Sequence, residues 1–241
     1  MEMTGHGGEL ALAALTPFGV QEMFTLSGGH VFPLYDAAVK QDVRIVDVRH
    51  EQTATFAAEG TAKLTRRPGL AVLTAGPGVT NGISAVTTAM FNGSPLVVLG
   101  GRAPQARWGA GSLQEFDHVP VLAPITKKAI TVKDVAKMGE EIHHLARLAL
   151  TPHRGPVFAD LPLDVVFAEG TGTIPESTHI REEDVVDMGV AAARIAKAER
   201  PVLVAGTDVY WEGAWEDLAA AVEHLRLPTF VNGLGRGCIP A

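Results

Sequence analysis

Three short segments of the 241-residue sequence carry side chains that could do chemistry. They are Ser27-Gly28-Gly29-His30, Arg49-His50-Glu51, and Ala75-Gly76-Pro77-Gly78 with Thr80 and Asn81. Glycine pairs allow a backbone to turn sharply and to approach a ligand closely. A carboxyl group such as that of Glu51 and an imidazole such as that of His30 can transfer protons. The three segments are therefore the candidates for a ligand-binding or catalytic site.

Each segment also has a purely structural explanation. Glu51 comes at the start of a helical pattern, where the positive end of the helix dipole favours an acidic side chain by about 0.3–1 kcal/mol. A loop histidine such as His30 is more often a surface or satisfied core residue than a catalyst. Segment 76–81 (GPGVTN) lacks the Lys-Ser/Thr ending of a Walker A loop and the third glycine of a dinucleotide fingerprint. Its motif therefore does not predict phosphate binding.

The common signatures of metal sites and of activated nucleophiles are absent from the sequence. It contains no HExxH, no CxxC pair, no GxSxG and no EF-hand loop. His143 and His144 lie on an amphipathic helical pattern, which predicts that they are solvated. We therefore assign no metal ligand to this chain.

The elements that must position the three segments alternate along the sequence. The strand candidates are GVQEMFTL, VRIVDV, GLAVLTA, PLVVLGG, KKAITV and GPVFADLP, with helical patterns between them. This alternation predicts an α/β fold with a parallel sheet, and the near-continuous apolar runs indicate helices on both faces. Ligands bind beyond the carboxyl ends of parallel strands, and the three segments follow the first three strands. We therefore expect them at one edge of the sheet.

The pattern changes after residue 164. We predict an N-terminal domain at 1–164, a linker rich in Gly, Thr, Ser, Glu and Pro at 165–183, and an incomplete second α/β domain at 184–241. The last region has only two strand candidates, which is too few to bury much apolar surface on its own. We therefore expect the sequence to be a piece of a longer protein.

Composition excludes several classes of protein. The net charge of −7, from 20 basic and 27 acidic residues, disfavours nucleic acid as a partner. No apolar run is long enough for a membrane span, and the first residues lack the pattern of a secretory signal. A single cysteine, Cys238, permits no internal disulfide and is expected to be a small core residue. A cytoplasmic location is the default prediction.

An ordered set of motifs resembles a known family. The segments FTLSGGHVFPLYDA, RHEQTATFAAEG, LTAGPGVTNGISA, SPLVVLGG, GSLQEFDHVPVLAPITKKA and RGPVFADLPLDV resemble the pyrimidine-binding domain of thiamine diphosphate enzymes. The resemblance is strongest to the acetolactate synthase (acetohydroxyacid synthase) large subunits and covers about residues 8–168. Residues 184–241 resemble the start of that family's central domain.

The resemblance implies roles for individual residues. In the family, the glutamate of the RHE triplet, here Glu51, hydrogen-bonds a ring nitrogen of the cofactor's aminopyrimidine and thereby favours the tautomer that activates the thiazolium carbon. Gln114 corresponds to a glutamine beside the reacting carbon, and Lys127 is expected near the substrate channel. The positions that line the pyrimidine pocket correspond to Gly28, Gly29, Pro77 and Asn81.

His30 departs from the acetolactate synthase pattern, which has alanine after the glycine pair. The related benzaldehyde lyase has a histidine there, so the resemblance implies that His30 shuttles a proton in catalysis. The expected function is a carboligase acting on pyruvate or another small 2-keto acid. Two alternatives stay open: a benzaldehyde lyase-like or 2-hydroxyacyl-CoA lyase-like enzyme, and a non-catalytic fragment that needs a missing domain.

The family's second cofactor motif does not occur in the sequence. That motif, GDG with a later asparagine, holds Mg²⁺ and the diphosphate, and these residues contain no GDG. The resemblance therefore implies that this chain alone is inactive and that the active protein is a homodimer or tetramer with shared sites. It also implies FAD as a structural cofactor, with Gly206 as the candidate contact.

Overall fold

The computed structural model describes residues 1–176 and 188–239. The chain divides into two compact units, Met1–His179 and Ile180–Ala241. Within the described ranges, no helix is both long and apolar enough to cross a lipid bilayer.

The first unit is built on a six-stranded parallel sheet, as the alternating pattern predicts. Its strands are β2 (Glu22–Thr25), β3 (Arg44–Asp47), β4 (Gly69–Leu73), β5 (Leu96–Arg102), β6 (Lys128–Thr131) and β7 (Val157–Pro162), and an additional strand, β1 (Glu2–His6), precedes them in the chain. The order across the sheet is β3-β2-β4-β5-β7-β6, with every neighbouring pair parallel. The six predicted strand segments all form strands.

Helices cover both faces of this sheet. The helices of the first unit are α1 (Gly7–Ala13), α2 (Phe32–Lys40), α3 (Glu51–Thr65), α4 (Pro77–Asn81), α5 (Ile83–Asn92), α6 (Val119–Leu122), α7 (Met138–Leu150) and α8 (Leu163–Val166). Successive residues of a strand point to opposite faces. Leu70 and Val72 belong to one apolar cluster with residues of α1, α2 and α7, whereas Ala71 and Leu73 belong to a second with residues of α3 and α5. The predicted α/β fold is therefore confirmed.

A short antiparallel ribbon was not expected from the sequence. β1 pairs along its whole length with β8 (Glu169–Thr173), from Glu2 opposite Thr173 to His6 opposite Glu169. Residues 165–173, predicted as part of a linker, therefore belong to the first unit, and the linker prediction is wrong for them. Gly and Thr residues there serve an exposed strand instead of a loose connection. Residues 177–183 of that linker lie outside the described residues.

Another correction concerns His143. It was expected to be solvated, but its side chain is buried and packs on Phe18 with ring centroids 4.8 Å apart. The amphipathic pattern of α7 correctly predicts a helix with a buried face, and His143 lies on that face beside Ile142 and Leu145.

The second unit contains a small parallel pair of strands. Its elements are α9 (Met188–Lys197), β9 (Leu203–Ala205), α10 (Thr207–Glu212), α11 (Trp215–Leu225) and β10 (Thr229–Val231), with β10 parallel to β9. Gly213 adopts a left-handed conformation, φ 69°, and ends α10. Residues 184–187 of the predicted second domain lie outside the described residues. Cys238 is buried, as expected.

Candidate active site

The three chemically notable segments meet at the carboxyl edge of the sheet. Thr25 at the end of β2 is paired with Asp47 in β3 and with Val72 in β4, so these strands end side by side. Each strand then leads into one of the segments. The parallel topology therefore gathers the three segments at one edge of the sheet, as expected.

Thr74, directly after β4, is the residue that joins these segments. A side chain at Gly28 would overlap Thr74, and a Cβ atom at Gly78 would lie 2.7 Å from Thr74 Cγ2. His30 Nδ1 lies 3.4 Å from the Thr74 hydroxyl oxygen. The two glycines therefore allow the first and third loops to close around this threonine. No local sequence pattern indicates the role of Thr74, because this role depends on contacts with distant segments.

Glu51 is the first residue of α3 and points inward. The preceding His50 caps the helix by accepting a hydrogen bond from the Gln52 backbone N–H at 3.1 Å. The Glu51 residue is 8% exposed, and its Oε2 atom accepts a hydrogen bond from the Asn81 side-chain amide at 2.9 Å. Its Oε1 atom lies 3.6 Å from where a Cβ at Gly78 would be. The carboxylate thus has the helix-start position that the dipole favours and also faces the glycine turn.

His30 lies on the first of the three loops and is almost completely buried, with 6% exposure. Burial is the main cause that lowers the pKa of this imidazole, and nearby His118 lowers it further. A hydrogen bond with the backbone of Leu113 acts in the opposite direction. The net effect is a lowered pKa, so the ring is neutral at neutral pH and can accept or relay a proton.

A cavity of about 770 Å³ opens beside these residues. Gly28, Gly29, His30, Thr74 and Gln114 contribute to its wall. The apolar part of the wall consists of Phe32, Pro104, Leu113 and Leu163. Arg107 adds a positive charge to the lining. Gln114, at the cavity wall, has a left-handed backbone with φ 56°. The structure therefore brings His30 and Gln114, two of the three residues assigned a catalytic role, to one cavity.

Three other predicted residues are placed as follows. Pro77 is the first residue of α4 and Asn81 is its last, so this short helix carries both sequence-assigned pocket positions. Gly206 belongs to the second unit, where it precedes α10, and a Cβ atom there would meet nothing within 4 Å. Its contact with FAD stays a prediction.

Lys127 is not part of this cavity. It lies just before β6, where its backbone N–H bonds the Pro156 carbonyl, and hence at the amino edge of the sheet, opposite Glu51. Its ammonium group donates to the Thr151 carbonyl at 2.6 Å. Burial, together with the charge of Arg154, lowers the pKa of Lys127 to about 8. The expectation that Lys127 lies near the substrate cavity is therefore wrong, because the chain crosses from one edge of the sheet to the other between Gln114 and β6.

A chain of buried polar groups lies behind the cavity. The backbone N–H of Gly76 donates to His118 Nε2 at 2.9 Å, and His118 Nδ1 lies 2.8 Å from Asp160 Oδ1. Asp160 Oδ2 accepts from Arg102 at 2.6 Å. The sequence-based assignments omit all three side chains. One signal was available: Asp160 sits within the apolar strand GPVFADLP, and a carboxylate in a buried strand needs partners.

Known protein families match both units of the chain. Residues 5–121 match the family model described as thiamine pyrophosphate enzyme, N-terminal TPP binding domain. Residues 188–241 match the model described as thiamine pyrophosphate enzyme, central domain. The chain belongs to the thiamine pyrophosphate enzyme family. Thiamine pyrophosphate is the same cofactor as thiamine diphosphate, so the family expected from the motifs is confirmed.

Individual relatives within the thiamine pyrophosphate enzymes carry two kinds of name. The acetolactate synthase large subunit IlvG of Mycobacterium tuberculosis is 44% identical over 99% of this chain and 44% of its own length. A probable acetolactate synthase large subunit of Methanocaldococcus jannaschii is 34% identical over 97% of the chain and 41% of its own length. The human 2-hydroxyacyl-CoA lyase 2 is 32% identical over 97% of the chain and 43% of its own length. The chain thus spans less than half the length of these relatives.

The geometry fits the pyrimidine part of the family's cofactor. A buried carboxylate, with one oxygen held by Asn81 and the other facing Gly78, suits a hydrogen bond to a heterocyclic ring nitrogen. Gly78 has no side chain that would fill this space. Glu51 and the glycine loops can therefore hold the pyrimidine ring.

Residues 1–176 and 188–239 do not supply a site that fits Mg²⁺. Among the described residues, one group of three has metal-ligand spacing, namely His6, Glu9 and Asp36. The Lys40 ammonium lies 2.9 Å from Glu9 Oε1 and 2.8 Å from Asp36 Oδ2. A cation therefore already neutralises this cluster, which does not fit a magnesium diphosphate.

Proposed function

We propose that this chain is the pyrimidine-binding part of an acetolactate synthase-like carboligase that acts on pyruvate or another small 2-keto acid. The observation that carries the proposal is the buried Glu51 carboxylate, held by Asn81 at 2.9 Å and facing the Gly78 turn. The 44% identity with an acetolactate synthase large subunit over 99% of the chain supports the type of reaction.

Glu51 is the residue that handles the cofactor's proton. When bound, thiamine diphosphate supplies a carbon nucleophile and an electron sink. Glu51 would hold the pyrimidine ring through a hydrogen bond between its carboxyl group and a ring nitrogen, and the Asn81 amide, which donates to Oε2, would keep the carboxyl group in place. Burial of Glu51 excludes the water that would otherwise compete for this hydrogen bond.

The cavity residues act on the substrate. His30, neutral because burial lowers its pKa, accepts or returns a proton at the substrate oxygen. Gln114 donates a hydrogen bond to the substrate from the opposite loop, and Arg107 pairs with a carboxylate. The apolar lining around Leu113 and Leu163 receives the substrate's alkyl group.

A second candidate is a lyase of the same family, similar to 2-hydroxyacyl-CoA lyase or benzaldehyde lyase. His30 and the relatives named 2-hydroxyacyl-CoA lyase 2 favour it. The two candidates differ in the fate of the first product, since a carboligase joins it to a second carbonyl compound and a lyase releases it.

The remaining components are proposed from the resemblance alone. They are Mg²⁺ and the diphosphate held by residues beyond this chain, a homodimer or tetramer with shared sites, FAD near Gly206, and a cytoplasmic location. On this proposal the 241-residue chain by itself is inactive, because the residues that the structure describes include no group that fits the magnesium diphosphate.

Product analysis tests the proposal. The protein as its gene encodes it is supplied with thiamine diphosphate, Mg²⁺ and pyruvate, and acetolactate is the expected product. Absence of acetolactate together with cleavage of a 2-hydroxyacyl-CoA to an aldehyde would favour the lyase. Failure of both reactions, in a protein that binds the cofactor, would contradict both candidates.

A further inference from the structure

We propose that His118 is a positioning residue, which fixes the Gly76 turn and through it the loops that carry Asn81 and Gln114. The proposal rests on the function proposed above. It concerns a residue that does not line the cavity and acts from behind it.

His118 is held from both sides. The residue is fully buried, and its two ring nitrogens are bonded to Gly76 and Asp160, at 2.9 Å and 2.8 Å. Because Nε2 accepts the Gly76 N–H, the ring proton belongs to Nδ1, which donates it to Asp160 Oδ1. Asp160 thus sets the tautomer of the ring and leaves Nε2 able to accept.

The Asp160 carboxylate is itself anchored. It is completely buried in β7, and its second oxygen accepts a hydrogen bond from Arg102 in β5. The Arg102 guanidinium also stacks over the Trp108 ring, 3.6 Å from the centroid, and lies 3.1 Å from Asp117. A buried carboxylate with a cation and a donor on its two oxygens is a satisfied group, and its position is set by two central strands. The orientation of His118 is therefore fixed by the sheet.

The backbone N–H that donates to His118 belongs to a turn that requires glycine. Gly76 has φ 61° and ψ −117°, a conformation that a residue with a side chain rarely adopts. A Cβ atom at Gly76 would also lie 3.1 Å from Gln114 Cβ, so the Gly76 backbone and Gln114 are in contact. Gln114 itself has a left-handed backbone, φ 56°. The hydrogen bond from the Gly76 N–H to His118 therefore fixes a turn that contacts Gln114, a residue of the cavity wall.

The same turn begins the helix that holds Glu51. Gly76 is the residue before α4, and Asn81 at the end of α4 donates to Glu51 Oε2. Release of the Gly76 N–H would let the turn relax, and α4 and Gln114 would move with it. We infer that His118 sets the alignment of Glu51 relative to Gln114 without contacting cofactor or substrate.

Two substitutions separate the two hydrogen bonds of His118. In His118→Gln the amide oxygen can accept from Gly76, because it lies about as far along the side chain as Nε2. In His118→Asn the shorter amide can donate to Asp160 but does not reach Gly76. Because the Asn amide still donates to the buried Asp160 carboxylate, we expect this variant to fold. His144→Asn, at an exposed position of α7, is the matched control.

The first measurement is hydrogen exchange at the Gly76 amide by NMR in the 241-residue chain. We expect protection in the wild type and in His118→Gln and its loss in His118→Asn. The second measurement is steady-state turnover of pyruvate by the protein as its gene encodes it. His118→Asn is expected to lower kcat by about 10- to 100-fold with little change in KM, because misplacement of catalytic groups acts mainly on the chemical step.

The outcomes are distinct. His118→Asn with wild-type kcat, or His118→Gln as impaired as His118→Asn, would overturn the positioning role. Urea unfolding gives the fraction of each variant that is folded under the assay conditions. If kcat falls in both variants only in proportion to this folded fraction, the role of His118 is structural and the proposal fails. Glu51→Gln in parallel tests the proposed function separately, because full activity of that variant would contradict the function whatever His118 does.

Discussion

The Asn81 amide donates to Glu51 Oε2 at 2.9 Å, joining the ends of two helices that are thirty residues apart in sequence. α3 begins at Glu51 and α4 ends at Asn81. Glu51 belongs to α3, which follows β3, whereas the amide that orients its carboxylate belongs to α4, which follows β4. The relative position of these two helices therefore decides where the Glu51 carboxylate lies.

Glu51→Gln should slow cofactor activation by about 10²- to 10⁴-fold, the usual contribution of a positioned acid or base. The amide keeps the shape of the side chain but has no exchangeable carboxyl proton for the pyrimidine. Exchange of the thiazolium C2 proton for deuterium, followed by NMR in the complete enzyme, measures this step directly. Exchange at the parent rate would remove Glu51 from the mechanism.

Asn81→Ala should weaken both the fold and the site. Loss of the donor leaves Glu51 Oε2 in a buried position without this partner, at a cost on the order of 1 kcal/mol in unfolding free energy. Urea unfolding measures the cost, and C2 proton exchange should slow less than in Glu51→Gln because the carboxylate is still present. Exchange at the wild-type rate or faster would contradict the orienting role of Asn81.

Gly28→Ala and Gly29→Ala form a matched pair at neighbouring positions. A methyl group at Gly28 would overlap the Thr74 side chain, whereas one at Gly29 would meet nothing within 4 Å. The first change should lower the unfolding free energy by about 1–3 kcal/mol, the usual cost of overpacking, and the second should have little effect. Equal midpoints for the two variants in urea would show that the close approach at Thr74 is not a constraint.

His30→Asn should separate cofactor activation from substrate chemistry. His30 faces the cavity and bonds Thr74, so its loss should reduce product formation by about 10²-fold while C2 proton exchange stays near the wild-type rate. Single-turnover product analysis with pyruvate measures the first quantity, and NMR the second. Loss of both rates together would indicate a structural role for His30.

Lys127 should make stability depend on pH in the alkaline range. Its folded pKa of about 8 lies below its ordinary value of 10.5, so the unfolded chain binds more protons between these two values. The unfolding free energy should therefore rise with pH from about 8 to 10.5, and Lys127→Met should remove this rise. Lys128→Met, at the exposed neighbouring position, is the control and should leave the slope unchanged.

The sequence predicts the sheet better than it predicts the contacts across it. Each strand from β2 to β7 is a continuous apolar or mixed run, so its burial is visible locally. β1 and β8 have no such run, and they pair over more than 160 residues, which no local pattern reveals. Thr74 and His118 were missed for the same reason, since their partners lie 42 to 44 residues away in the chain.

Glu51 could be found because its RHE triplet lies at a strand-to-helix junction and matches a motif of the family. Its surroundings could not, because the burial of Oε2 and the bond to Asn81 arise only when β3 and β4 are placed on either side of β2. Lys127 shows the converse error. A segment that follows the cavity loop in sequence was assigned to the cavity, although one short helix carries the chain to the other edge of the sheet.

The ribbon of β1 and β8 brings the two ends of the first unit to one place. The Met1 ammonium donates to the Ile174 carbonyl at 2.9 Å, and the Ile174 N–H donates to the Met1 carbonyl at 2.8 Å. The first residue of this unit and the end of its last strand are therefore adjacent in space. Domains whose two ends are adjacent tolerate insertion into another chain and circular permutation, because neither change has to separate paired strands.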